Sequence, residues 1–312
     1  MRKFLTLLIL ISLFYNIEKI TFATVTNVIT FTEEDTNKYN QTMKQDLLCL
    51  MLAYPEYITN IEEKNGFVYL ILKSGKTLVY DDKIRKNSQE KLTNSDLQDT
   101  LEQIYPLLPV KSIMKLDFDP GRVRCYGLLT EVYGPSKSAI ESNLIKVKVG
   151  YNNYEFNKNN NAARSLKAVM KEVMPLSQTN QNVRRCLFPC SGTFNYRVIA
   201  GTSRLSPHAF GIAIDLASDK RDYWKWASKE AGEKRLASYS NELVEIFENN
   251  GFIWGGKWSH FDILHFEYRP EIILKARYFA NDANLKNSWF EGAPLHQIEI
   301  KNTIEKINAL IN

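Results

Sequence analysis

Three residues of this chain, His208, Asp215 and His265, carry the side-chain chemistry of a metal site left open on one side. They fall in two short segments, Ser206-Pro207-His208-Ala209-Phe210-Gly211-Ile212-Ala213-Ile214-Asp215 and Trp258-Ser259-His260-Phe261-Asp262-Ile263-Leu264-His265-Phe266-Glu267. Two imidazoles and one carboxylate form a three-ligand set for a single Zn2+, whose fourth position stays available to water. Zinc lowers the pKa of that water to about 7, and a neighbouring carboxylate can take its proton as the oxygen attacks a carbonyl. Asp262, three residues before the last candidate ligand, has the offset of such a base. The chemistry expected is peptide hydrolysis.

A lone histidine among apolar residues is usually a satisfied core residue, and an aspartate ending a strand is usually a cap or turn former. Clustering argues against that here. The chain has four histidines, and three of them, His208, His260 and His265, share the two segments with Asp215, Asp262 and Glu267. His296 lies in a polar tail and reads as a surface residue.

The elements that must hold these groups are short strands. Ile212, Ile214 and Leu216 alternate with Ala213 and Asp215, a two-residue period that puts Asp215 beside small Ala213 on one face. His265 and Glu267 share a face in the same way, so Glu267 can orient His265 from behind, as carboxylates commonly do for ligating imidazoles. A salt bridge to Arg269 is the alternative for Glu267. His208 precedes its strand by a turn containing Gly211, which lets it swing back toward Asp215. His260 has two readings, a surface loop residue or a group that bonds the reaction intermediate or protonates the leaving amine. Gly255-Gly256 with Trp254 and Trp258 predicts a tight turn and an apolar wall next to the metal, with Trp258 facing substrate.

The pattern S-x-H-x-x-G-x-A-x-D followed by G-G-x-W-x-x-x-D-x-x-H-F-E resembles the zinc D-alanyl-D-alanine carboxypeptidase family, the VanY-type peptidoglycan peptidases. That family also includes L-alanyl-D-glutamate endopeptidases of phage lysins. The likeness extends over Phe194 to Thr202, Glu245 to Glu248, Phe266 to Pro270 and the earlier Asp119-Pro120-Gly121-Arg122-Val123-Arg124, so roughly residues 112 to 280 are covered. It implies that His208, Asp215 and His265 bind zinc, that Asp262 is the general base, that Arg197 steadies the substrate carbonyl or oxyanion, and that Ser206 lines the site. Many relatives have Glu at the position of Asp262. The implied substrate is the stem peptide of peptidoglycan. Loss of a terminal D-alanine is the leading expectation, with L-alanyl-D-glutamate cleavage as the alternative. A non-catalytic wall-binding or signalling module on the same fold is the reading from another class, and a base beside a full ligand set argues against it.

With 312 residues, 44% hydrophobic and 24% charged, the chain is long enough for one large or two modest globular domains. The formal charge is +5. Removing residues 1–23 takes away Arg2, Lys3 and Lys19 against Glu18 and leaves +3. So mild a surplus predicts no nucleic-acid partner. Met1-Arg2-Lys3 followed by the apolar run Phe4 to Tyr15 reads as a signal peptide over 1–23 and predicts export to the periplasm, cell surface or medium. Membrane contact is expected only if that segment stays on as an anchor. Cys49, Cys125, Cys186 and Cys190 suit an exported chain, and a local Cys186–Cys190 bridge is favoured over free buried thiols.

The fold class expected is α+β: a small antiparallel sheet flanked by helices, carrying a mononuclear zinc site, with an N-terminal helix-plus-hairpin region. Residues 24–110 form that region, of unassigned role, 111–282 the catalytic domain and 283–312 a C-terminal helical tail. Helices are predicted over 43–57, 95–105, 162–174, 224–237, 241–249 and 298–311, a hairpin over 66–80, and an Asn-rich loop over 151–161.

Overall fold

The computed structural model describes residues 32–280 and 288–311. The signal-peptide segment lies outside them. Thr32 opens the first helix, α1 (Glu33–Ala53), through a reciprocal capping box with Asp35. The helix starts ten residues ahead of the apolar pattern because this cap, not burial, sets its beginning. Next comes an antiparallel meander, β1 (Ile58–Lys64), β2 (Phe67–Leu72) and β3 (Thr77–Val79). Asn65 and Gly66, both at positive φ, make the two-residue turn that pairs Lys64 with Phe67. The expected hairpin is there, and β1 adds a strand to it. That strand eludes a hydrophobicity reading because Ile58 and Ile61 alone are buried in it.

Two short helices follow, α2 (Ser88–Thr93) and α3 (Leu97–Leu101), then α4 (Tyr126–Tyr133) and α5 (Lys137–Glu141). The Asn-rich stretch is not a loop throughout. Asn152–Asn157 is strand β5, paired in full register with β4 (Leu144–Val149), because alternate burial of Val147, Val149 and Phe156 outweighs the turn preference of asparagine. Helix α6 (Ala162–Thr179) runs through Pro175, with Leu176 packed on the core and Ser177 buried. α7 (Gln181–Leu187) leads to β6 (Ala213–Asp215), and then come α8 (Lys229–Ser238), α9 (Asn241–Asn249), β7 (Phe252–Trp254), β8 (His265–Tyr268), α10 (Pro270–Phe279) and α11 (Ile298–Leu310). α8 begins only at Lys229, where the Ser228 hydroxyl accepts the Ala231 N–H and fixes the N-terminus.

All four cysteines are free thiols, so the expected Cys186–Cys190 bridge is absent. The two sulfurs face different partners. Cys186 is buried in α7 near the Asn182 amide oxygen, whereas Cys190 Sγ points to the Asp215 carbonyl at 3.4 Å.

A mixed α and antiparallel β architecture results, with the site sheet ordered β6-β8-β7. One hydrophobic core runs from Met43 in α1 through Phe247, Phe252 and Phe266 to Ile307 in α11, and α1 packs directly on α10 and α11. Buried polar contacts add to this packing. Tyr54 donates to Glu271 (2.7 Å), Lys275 pairs with Asp46 (2.6 Å), and Tyr105 and Lys257 both donate to Glu248 (2.6 Å each). No helix of the described residues is long and apolar enough to cross a membrane.

Candidate metal centre

β6 and β8 run antiparallel with Asp215 directly opposite His265, so the two side chains rise from adjacent strands on the same face. His208 reaches them from a 3-10 turn, Pro207–Phe210. The turn closes at Gly211, whose left-handed φ of +68° lets the chain reverse into β6. The Ser206 hydroxyl accepts the His208 N–H (3.3 Å) and starts the turn.

Three atoms converge: His208 Nε2, His265 Nδ1 and Asp215 Oδ1. Their separations are 3.2 Å between the nitrogens, 2.9 Å from His265 to Asp215 and 3.2 Å from His208 to Asp215. Among the described residues this is a set that could hold a metal ion. The spacing fits zinc, since a tetrahedron with bonds of about 2.0–2.1 Å has edges of about 3.3 Å. The tautomers fit too. His208 Nδ1 donates to the Thr193 carbonyl at 2.6 Å, which leaves Nε2 with its lone pair toward the cluster. The other nitrogen of His265 lies 3.8 Å from Glu267, an ion-pair distance.

Charge at the centre is set for a cation. Burial would lower the His265 pKa, but Asp215 and Glu267 overcome it and raise the imidazole to about 10. Burial would likewise raise Asp215, and the two histidines instead hold its carboxyl well below the usual range. Asp262 goes the other way. Burial and the Asp215 charge, opposed by His265, push its carboxyl up to about 6.

Asp262 is fixed from both sides, its N–H donating to the Gly255 carbonyl (3.0 Å) and its carbonyl accepting from His265 N–H (3.1 Å). Gly255 cannot be replaced without moving this loop, because a Cβ there would meet the Asp262 carbonyl at 2.5 Å. Tyr223 bridges Asp262 through an isolated antiparallel pair.

Glu267 is fully buried and gripped by the fork of Arg124 (2.8, 3.1 and 2.5 Å), with Arg269 Nη1 at 3.4 Å. The Arg269 contact expected as an alternative therefore exists beside the histidine contact. His260 is not a free loop residue. Its Nδ1 lies 2.6 Å from Asp119, which also accepts its N–H, and its ring stands edge-on to Trp224.

Two expected substrate contacts are redirected. Trp258 is 4% exposed, gives its indole N–H to the Pro120 carbonyl (2.7 Å) and packs 5.9 Å from the His265 ring, so it backs His265 and offers no face to substrate. Ser206 is 2% exposed and its hydroxyl caps the His208 turn. Arg197 is exposed and donates to the Val198 carbonyl (3.3 Å), and its charge is felt at Tyr223 beside Asp262.

Three contributors were not singled out from sequence: Arg124, Asp119 and the Thr193 carbonyl. The first two stand in the Asp119-to-Arg124 segment already marked by resemblance. The third is backbone and leaves no side-chain signal.

Residues 200–268 match the family described as D-alanyl-D-alanine carboxypeptidase, so the resemblance holds over the segment that builds the centre. Across 67 residues the chain is 40% identical to the peptidoglycan L-alanyl-D-glutamate endopeptidase CwlK of Bacillus subtilis (strain 168). That alignment covers 21% of this chain and 40% of the relative, well short of its whole length. No solved structure matches the chain significantly.

Proposed function

We propose that the protein is a zinc-dependent peptidase acting on peptidoglycan stem peptides outside the cytoplasm. The observation that carries this is the triangle of His208 Nε2, His265 Nδ1 and Asp215 Oδ1 with Asp262 fixed beside it. Zinc bound there would polarise the scissile carbonyl and acidify water. Asp262 takes the proton, and a carboxyl pushed up to about 6 is well matched to accepting one near neutrality and passing it on. Glu267, clamped by Arg124, keeps the His265 ring oriented. Asp119 holds His260 in one orientation, suited to donating to the leaving amine. Arg197 supplies an exposed positive charge to the developing oxyanion.

Removal of a terminal D-alanine is the first reading, supported by the family match. Cleavage between L-alanine and D-glutamate is the second, favoured by the similarity to the Bacillus endopeptidase. Digestion of purified muropeptides followed by mass spectrometry separates them. Loss of one alanine mass supports the first, a split near the base of the stem supports the second, and unchanged muropeptides would refute peptidase function.

A further inference from the structure

A cavity of about 1000 Å³ lies between the N-terminal helices and the loops around the metal centre. One wall is built by α2 and α3, and the opposite wall by Asp119 to Val123, Ile199 to Arg204, Tyr223 to Lys225 and His260. Tyr223 connects it to the centre, because the same residue lines the cavity and pairs with Asp262.

The charges in this groove are unevenly spent. On the N-terminal wall Lys86 is consumed by Asp82, Asp96 and Asp99, and Lys91 pairs with Glu102. On the catalytic wall Arg122 donates to Asp119 (3.3 Å), its one acid at salt-bridge distance among the described residues, whose oxygens also serve the ring and N–H of His260 and the Ser259 hydroxyl. Arg204 meets no acid at salt-bridge distance among the described residues. It donates to the Leu92 carbonyl (2.9 Å), and its Nε is buried without a partner. Burial and the nearby Arg124 guanidinium hold both side chains below their usual pKa, opposed by Asp119 for Arg122 and by Tyr126 for Arg204. Arg122, which shares Asp119 with His260, and Arg204, which meets no acid at salt-bridge distance among the described residues, line one cavity and form a receptor for a carboxylate, which a planar fork can bind in bidentate fashion.

We propose that this groove is the substrate-recognition subsite, in which Arg122 and Arg204 bind a free carboxylate of the peptide held across Asp262. The proposal rests on the peptidase reading and adds the feature that selects the substrate. It also gives residues 86–103 a task, as the far wall of the groove. A stem peptide carries carboxylates both at its C-terminus and along its length, and the shared chemistry is the anionic oxygen pair.

The test is a binding measurement that does not depend on turnover. Full-length zinc-loaded protein carrying Asp262→Asn is titrated calorimetrically with a synthetic stem pentapeptide bearing free carboxylates, and with versions amidated at the C-terminus or at the internal carboxylate. Arg122→Gln and Arg204→Gln should each weaken binding of the free acid by about 10- to 100-fold. Amidation at the recognised position should weaken the parent equally and add nothing in the Arg122→Gln protein, and the amide with this behaviour identifies which carboxylate is held. Arg122→Lys, which keeps charge without the fork, should fall between, and melting temperatures confirm that all variants are folded. Equal losses on free and fully amidated peptide, unchanged affinity in folded variants, or no measurable binding by the parent would overturn the proposal. Hydrolysis of muropeptides by the unsubstituted enzyme is scored separately. Charge-dependent binding without hydrolysis sinks the peptidase reading and keeps the subsite, while hydrolysis with charge-blind binding sinks the subsite alone.

Discussion

Replacing Glu267 by glutamine should damage both the fold and the metal centre, in amounts that can be read apart. Glu267 sits fully buried in β8 and takes three hydrogen bonds from Arg124, with Arg269 adjoining and His265 on its other side. Glutamine keeps the volume, removes the charge and turns an amide N–H₂ toward a buried guanidinium. Removing one partner of a buried ion pair costs about 3–5 kcal/mol. At about 2–4 °C per kcal/mol for a chain of this class, the melting temperature should fall by about 6–20 °C. Loss of the carboxylate behind His265 should weaken zinc about 10- to 100-fold. The pH dependence has a definite sign. Burial would raise the Glu267 carboxyl, but Arg124 dominates and holds it well below the usual carboxylate range. A depressed carboxyl stabilises the fold above its unfolded value of about 4.3 and loses that contribution as the pH falls toward the folded value. The gap between parent and Glu267→Gln should therefore be full at neutral pH and shrink below about pH 4. Scanning calorimetry from pH 3 to 8, with zinc competition by a chelating dye at pH 7, measures both effects. A variant that melts within about 2 °C of the parent and binds zinc equally would refute the reasoning. A lower melting temperature with unchanged zinc affinity would reduce Glu267 to a structural ion pair.

His265→Ala should remove zinc and activity together, and full occupancy in that variant, measured by atomic emission, would sink the ligand assignment. Chelation of the parent should lower its melting temperature, because a ligand at about 100 times its Kd stabilises by roughly 2.7 kcal/mol; an unshifted transition would count against a site formed only in the folded chain. Asp262→Asn should keep zinc and lose about 100- to 10,000-fold in kcat. In the parent, kcat/KM should fall at acid pH as Asp262 protonates, with the limb at or below about pH 6 because bound zinc would favour the ionised carboxyl further. Arg197→Lys should lower kcat well beyond any change in KM, while zinc content and melting temperature stay near the parent's because the side chain is exposed; unaltered kinetics would return Arg197 to the surface.

The meeting of His208, Asp215 and His265 is legible in the sequence because a candidate metal site restricts residue type and the two strands are short. Asp215 and His265 needed only a period of two and one antiparallel pairing to meet, and Gly211 announced the reversal that brings His208 back. What holds the cluster was less visible. Arg124 grips Glu267 across 143 residues and Asp119 grips His260 across 141, distances over which no local pattern speaks. Strand β5 was hidden by its asparagines, because its pairing with β4 comes from partners outside any short window. Trp258 is hard to place for a related reason: an aromatic next to His265 reads alike in sequence whether it faces substrate or core, and its bond to the Pro120 carbonyl turns it inward.

The contacts that join the first helix to the last ones also fix an order of events during synthesis. Tyr54 waits 217 residues for Glu271, and Gln45 waits 244 residues for the Trp289 carbonyl. Until residues 270–310 have left the ribosome, Asp46 lacks Lys275 and the apolar side of α1 lacks the full cover of α10 and α11. Such distant closures make a chain slow to fold and keep its early segments open. Removal of α11 would expose the α1 surface that it covers, and a truncation before Glu271 would leave Tyr54 and Asp46 without their buried partners, so a shortened protein should accumulate as an aggregation-prone, protease-sensitive species.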